Sequence, residues 1–112
     1  MSAIDLAKLR RDLAEAEDVA REASKDVLDG GSCCNDAVFL NVGSHCAIKR
    51  KSKAVDAVVG GDRYLRNGWW RGYLLDVGAR YGQASRRTAA VEAATAFLKE
   101  RGWDACTFYA VD

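Results

Sequence analysis

Tyr64-Leu65-Arg66-Asn67-Gly68-Trp69-Trp70-Arg71-Gly72-Tyr73 places an Asn-Gly pair between two apolar, aromatic runs. That is the strongest short-range signal for a β-hairpin, because both central positions of a type I′ turn need positive φ. The stretch also holds two of the chain's three tryptophans, two of its four tyrosines and two arginines. Strands are expected over 63–66 and 69–77. In the second, Tyr73, Leu75 and Val77 alternate and face the core, leaving Trp70, Gly72 and Asp76 on the reverse. Trp69 and Arg71 share the parity of Tyr73, and an inward arginine is tolerable only if that end of the strand projects past the core. Arg66, Trp69, Trp70 and Arg71 are therefore the candidate partner-binding residues.

Working outward, residues 37–42 (Ala37-Val38-Phe39-Leu40-Asn41-Val42) read as a strand with Val38, Leu40 and Val42 on one face and Phe39 and Asn41 on the other. Ser44 is placed to cap a helix running to about residue 59, in which Ala47, Ile48, Lys51, Ala54, Val55 and Val58 share a face. Lys49, Arg50, Lys51 and Lys53 crowd its first half, the unfavourable end for positive charge. The alternative is a strand over 46–50 followed by a shorter helix. Downstream, Ser85 caps a helix over 86–101 with Ala90, Val91, Ala94, Phe97 and Leu98 as its buried stripe, Gly102 ends it, and a last strand covers 105–111 with Phe108 and Tyr109 on opposite faces.

Upstream, Ser2 and Asp5 open a long helix that ends at Gly30-Gly31, with Leu6, Leu9, Leu13, Ala16, Ala20, Ala23 and Val27 as a narrow seam. The seam serves either the helix's own domain or a homodimer through the N-terminal helix. The predicted fold class is α+β: a long N-terminal helix (1–29) followed by a β-α-β-β-α-β ferredoxin-like antiparallel sheet (36–112). The N-terminal helix is the one element left to cover the second face of the sheet, unless it pairs with another copy.

With 112 residues, 49% apolar and 29% charged, the chain suits a single domain, 1–112, with one core. Its apolar runs fall short of the about 20 residues that a membrane span requires. Met1-Ser2-Ala3-Ile4-Asp5 lacks the basic-then-apolar order of a signal peptide, which predicts a cytoplasmic protein with reduced cysteines. The net charge of +1 conceals a polarity. Residues 1–36 carry five basic and nine acidic side chains, whereas residues 37–90 carry ten and three. A basic middle suits an acidic partner.

No catalytic signature emerges, and the expectation is a non-enzyme without cofactor. Cys33-Cys34 and His45-Cys46 offer four soft ligands, but adjacent ligand pairs turn inward poorly compared with the spacing of zinc sites. His45 and Cys46 diverge on a helix, so they do not form a Cys-His nucleophile pair. Gly60-Gly61-Asp62 and Gly78-Ala79-Arg80-Tyr81-Gly82 lack phosphate-loop spacing. Lys49, Arg50 and Lys51, together with Arg86 and Arg87 at a helix start, are the candidate anion or nucleic-acid contacts.

Val38-Phe39-Leu40 resembles the start of the first-strand motif of RNA-recognition domains, and Arg71-Gly72-Tyr73 the start of their third-strand motif. Leu74, Leu75 and Asp76 depart from it. The resemblance implies nucleic-acid binding. A second resemblance covers more of the chain: Gly30-Gly31-Ser32-Cys33 with Asn35-Asp36, Gly82-Gln83 with Arg86-Arg87-Thr88 opening an Ala-rich helix, and Phe108-Tyr109 with Asp112 look like small bacteriophage- and prophage-encoded proteins. It implies a non-catalytic protein-binding module acting on a host complex, as anti-CRISPR inhibitors do, and this is the leading expectation, with a nucleic-acid-binding ferredoxin-like domain as the alternative.

Overall fold

A computed structural model describes residues 5–27, 37–59, 64–67, 70–75 and 84–108. In chain order these form α1 (Leu6–Ser24), β1 (Ala37–Asn41), α2 (Lys53–Val59), β2 (Tyr64–Asn67), β3 (Trp70–Leu75), α3 (Ala84–Glu100) and β4 (Ala105–Phe108). The protein is α+β, with a four-stranded antiparallel sheet in the order β2-β3-β1-β4. Two β-α-β units interleave: β3 lies between the strands of the first, and β1 between those of the second.

Alternation in β1 decides the layering. Val38 and Leu40 join Tyr73, Ala105, Val55 of α2 and Ala90, Val91, Ala94 and Leu98 of α3 in one buried cluster, so both helices pack on the same face. Phe39, of opposite parity, sits between Leu74 and Cys106 in the register and is 0% exposed. Burying such a ring stabilises the sheet by about 1.5 to 3 kcal/mol. At Gly72, opposite Asn41, an added Cβ would lie 2.1 Å from the Leu40 carbonyl oxygen, so β1 and β3 approach closely there because this residue has no side chain.

The hairpin forms with Tyr73 inward as expected, but Asn67 pairs with Trp70. The two residues between the strands are thus Gly68 and Trp69, not Asn67 and Gly68, and both lie outside the described residues. The expected helix from Ser44 is corrected. Residues 43–52 form a loop, in which Ile48 makes a parallel bridge to Val42 and is buried, and α2 starts only after Ser52, whose hydroxyl accepts from Val55 N at 3.2 Å. The physical reason is that Ile48 is drawn into the core beside Val42, which holds the preceding segment out of helix and leaves Ser52 to cap α2 in place of Ser44. The shorter-helix alternative is nearer the observed chain path.

α1 also differs. Asp5 is its N-cap, accepting from Lys8 N at 3.0 Å, and the helix stops at Ser24, short of Gly30-Gly31, which lie outside the described residues. Its buried face is Leu9, Asp12, Ala16, Ala20 and Ser24, whereas Ala23 is exposed. It packs along α3 and touches α2. The helix therefore adds to the helical layer and does not cover the second sheet face, because its alanines and those of α3 let the two backbones approach. α3 ends in a Schellman motif, with Trp103 N donating to Leu98 O, Gly102 N to Lys99 O, and Gly102 at φ 94°. Trp103 then reaches back to α1: its indole donates to the buried Asp12 carboxylate at 2.8 Å, which Lys8 and Arg101 also contact at 2.8 and 3.1 Å.

Candidate functional site

The loop after β1 builds the site. Asn41 and Val42 leave the sheet still hydrogen-bonded, Val42 N donating to Arg71 O at 2.8 Å and Gly43 N to Ile48 O at 3.0 Å. Cys46 ties the loop to the start of β4 through a bond from its thiol to Asp104 Oδ2 at 3.1 Å, and Asn41 Nδ2 holds the other oxygen of that carboxylate at 3.1 Å. With Ile48 anchored in the core, the next three residues emerge together. Lys49, Arg50 and Lys51 are all exposed.

They meet the hairpin there. A cavity of about 260 Å³ is lined by Val42, Lys49, Arg50, Lys51, Tyr64, Arg66 and Arg71. Five of these seven residues are cations and none is acidic. The parity question raised by Arg71 is answered by this end of the sheet: Tyr73 is buried under α2, while Arg71, two residues back, projects past the core into the cup. Arg66 and Arg71 are direct cross-strand partners. Like charges directly opposite one another are destabilising.

A polar scaffold fixes the walls. The Asp56 carboxylate of α2 accepts from Lys51 Nζ at 2.6 Å and from the Tyr73 hydroxyl. The Lys51 bond first, then that from Tyr73, holds the Asp56 carboxyl below the usual aspartate value. Burial, and then Asp56, pushes the Tyr73 phenol up, so it remains a donor. Tyr64 packs edge-on against Tyr73 with centroids 5.0 Å apart, and Lys51 Nζ lies 5.6 Å from the Tyr64 centroid. Lys49 donates to Ser44 O at 3.0 Å. Arg50, Arg66 and Arg71 have no ion pair among the described residues.

The structure thus brings together two sets of residues that the sequence presented separately, Lys49, Arg50 and Lys51 with Arg66 and Arg71. It does not bring Arg86 or Arg87 to them. Arg86 is half-buried and donates to the carbonyls of Ser24 and Lys25 at 3.1 and 3.4 Å, closing the C-terminal end of α1. Trp69 lies outside the described residues, as does the side chain of Trp70, whose backbone belongs to β3. Sequence reasoning missed Tyr64 and Asp56. Their signal was present only in part, as the paired tyrosines Tyr64 and Tyr73 at the two ends of the hairpin.

Among the described residues no cluster of histidine, cysteine and carboxylate side chains could hold a metal, and Cys33 and Cys34 lie outside them. Burial first, then Asp104, pushes the Cys46 thiol up to about 11, so it is not a thiolate at neutral pH. The aromatic residues of the two segments that resemble RNA-recognition motifs are not exposed: Phe39 is fully buried and Tyr73, inward as its parity predicts, is 1% exposed. No helix among the described residues is long and apolar enough to cross a membrane. No protein-family model matches the chain, and no match was found among curated proteins or among solved structures.

Proposed function

We propose that this chain is a non-catalytic, cytoplasmic binding module that holds a phosphate-bearing polyanion, single-stranded nucleic acid, on the cationic cup. The observation that carries the reading is the convergence of Lys49, Arg50, Lys51, Arg66 and Arg71 on one cavity whose lining, among the described residues, holds no acidic side chain. Arginine forks match phosphate oxygens in pairs, and free guanidiniums release condensed counterions when they meet a nucleic-acid backbone. The scaffold is ferredoxin-like, a reading supported by the interleaved β-α-β units and the order β2-β3-β1-β4. Binding here differs from that of the RNA-recognition domains that its motifs resemble, because it uses the loop-side end of the sheet and not stacked aromatics on the open face.

The test is fluorescence anisotropy with single-stranded RNA and DNA at low salt, followed by a salt titration. Binding should weaken steeply, with each phosphate contacted adding about 0.7 to the slope of log affinity against log salt. Arg66→Gln should reduce that slope by a similar amount. Absence of binding by the intact chain at micromolar concentration overturns the reading. It would return the cup to the partner implied by the phage resemblance, a carboxylate-rich host protein surface meeting the exposed Arg66 and Arg71.

A further inference from the structure

Given nucleic acid as the ligand, we infer that the cup reads a terminal phosphomonoester, the end of a strand, and not the diester backbone along its length. Surfaces that follow a single strand spread cations along a groove and intersperse aromatic platforms for successive bases. The cations at the loop-side end of the sheet do the opposite. Lys49, Arg50, Lys51, Arg66 and Arg71 converge on a single cavity of about 260 Å³, and among the described aromatic side chains of β1 and β3, Phe39 and Tyr73, both are buried.

The charge of the cavity fits a concentrated anion. Lys51 is matched by Asp56, which leaves four cations without an ion pair among the described residues: Lys49, bonded to the Ser44 carbonyl, and Arg50, Arg66 and Arg71. A diester carries one negative charge and a phosphomonoester about −1.5 to −2 with three acceptor oxygens. The latter is the better match to uncompensated cations that line one cavity. Arg66 and Arg71 face each other across β2 and β3, and an anion held between them removes the repulsion that their pairing creates. The walls point the same way. Tyr64 has Lys51 over its ring, so a base reaching that face must displace the ammonium. Val42, 5% exposed, gives the cavity an apolar wall.

The deciding experiment compares one short single-stranded DNA in three forms, carrying a 5′-phosphate, a 3′-phosphate or hydroxyls at both ends, with the label at an internal position. One phosphorylated form should bind tighter than the hydroxyl form by about tenfold or more, and which one it is identifies the end. Inorganic phosphate should compete against that form preferentially. In Arg50→Gln and in Arg71→Gln the preference should collapse towards unity while both variants melt no lower than the unaltered chain. Equal affinity for all three forms, with binding intact, overturns the end-reading inference and leaves the nucleic-acid reading standing. Absence of binding to any form overturns both.

Discussion

Asp12 is an aspartate on the buried face of a helix where the periodicity of leucine and alanine leads one to expect an apolar side chain. It is 0% exposed and accepts hydrogen bonds from Lys8, Arg101 and the Trp103 indole. Burial raises its pKa, but the bonds from Lys8 and Trp103 and the charges of Lys8 and Arg101 outweigh it and hold the carboxyl below the ordinary value of 3.8. A depressed folded value means that the contribution of Asp12 to stability is complete above the ordinary aspartate range and is lost as pH falls through the folded pKa. Asp12→Ala leaves the buried indole N–H without an acceptor and should cost about 2 to 3 kcal/mol in urea unfolding at neutral pH. Asp12→Asn keeps an acceptor and should cost less. The stability gap between the Asp12→Asn variant and the unaltered chain should close as pH drops below 3.8. A gap unchanged down to strongly acidic pH would assign the stabilisation to packing.

At the scale of elements, the loop between β1 and α2 is where sequence and structure part. Strand β1, the inward parity of Tyr73, the Ala-rich α3 and the glycine stop at Gly102 were all legible, because each is written in a local period or a single turn residue. The loop was legible only through the alternative of a shorter helix, since its conformation depends on Ile48 bridging Val42, a pairing six positions apart that no period encodes. The same holds for α1: its seam was visible, but its berth on α3 is fixed by contacts such as Asp12 with Trp103, 91 positions apart. The cup was legible only as two separate basic groups. Ile48 is the pin that joins them. Ile48→Ala should cost about 2 to 4 kcal/mol, against about 1 for Ile48→Val. In conditions where both variants remain folded by circular dichroism, Ile48→Ala should also weaken nucleic-acid binding more than Ile48→Val, because it loosens the segment carrying Lys49, Arg50 and Lys51. Equal binding by the two would show that the cations reach the ligand without that anchor.

Across the whole molecule, a net charge of +1 conceals an uneven matching of charges. The acidic face of α1 is balanced locally: Asp18 pairs with Arg21 at 2.5 Å, Glu22 with Lys25 at 2.7 Å and Glu15 with Arg101 at 3.0 Å. The cup has no such balance around Arg50, Arg66 and Arg71 among the described residues. A fold that sets two arginines opposite each other across β2 and β3 accepts a local loss of stability, the usual mark of a binding surface kept for its ligand. Arg71→Gln should therefore stabilise the free protein at low ionic strength, by about 0.5 kcal/mol. That gain should shrink as sodium chloride screens the pair. Added phosphate should shrink it faster than chloride at equal ionic strength, because an anion bound only by the folded state raises the melting point of the unaltered chain and not of the variant. Thermal melts of both proteins in matched chloride and phosphate series measure all three effects. If Arg71→Gln instead melts lower at low salt, the aliphatic stem of Arg71 contributes packing at the strand end, and the repulsion across β2 and β3 is too weak to mark the cup as a site held open for an anion.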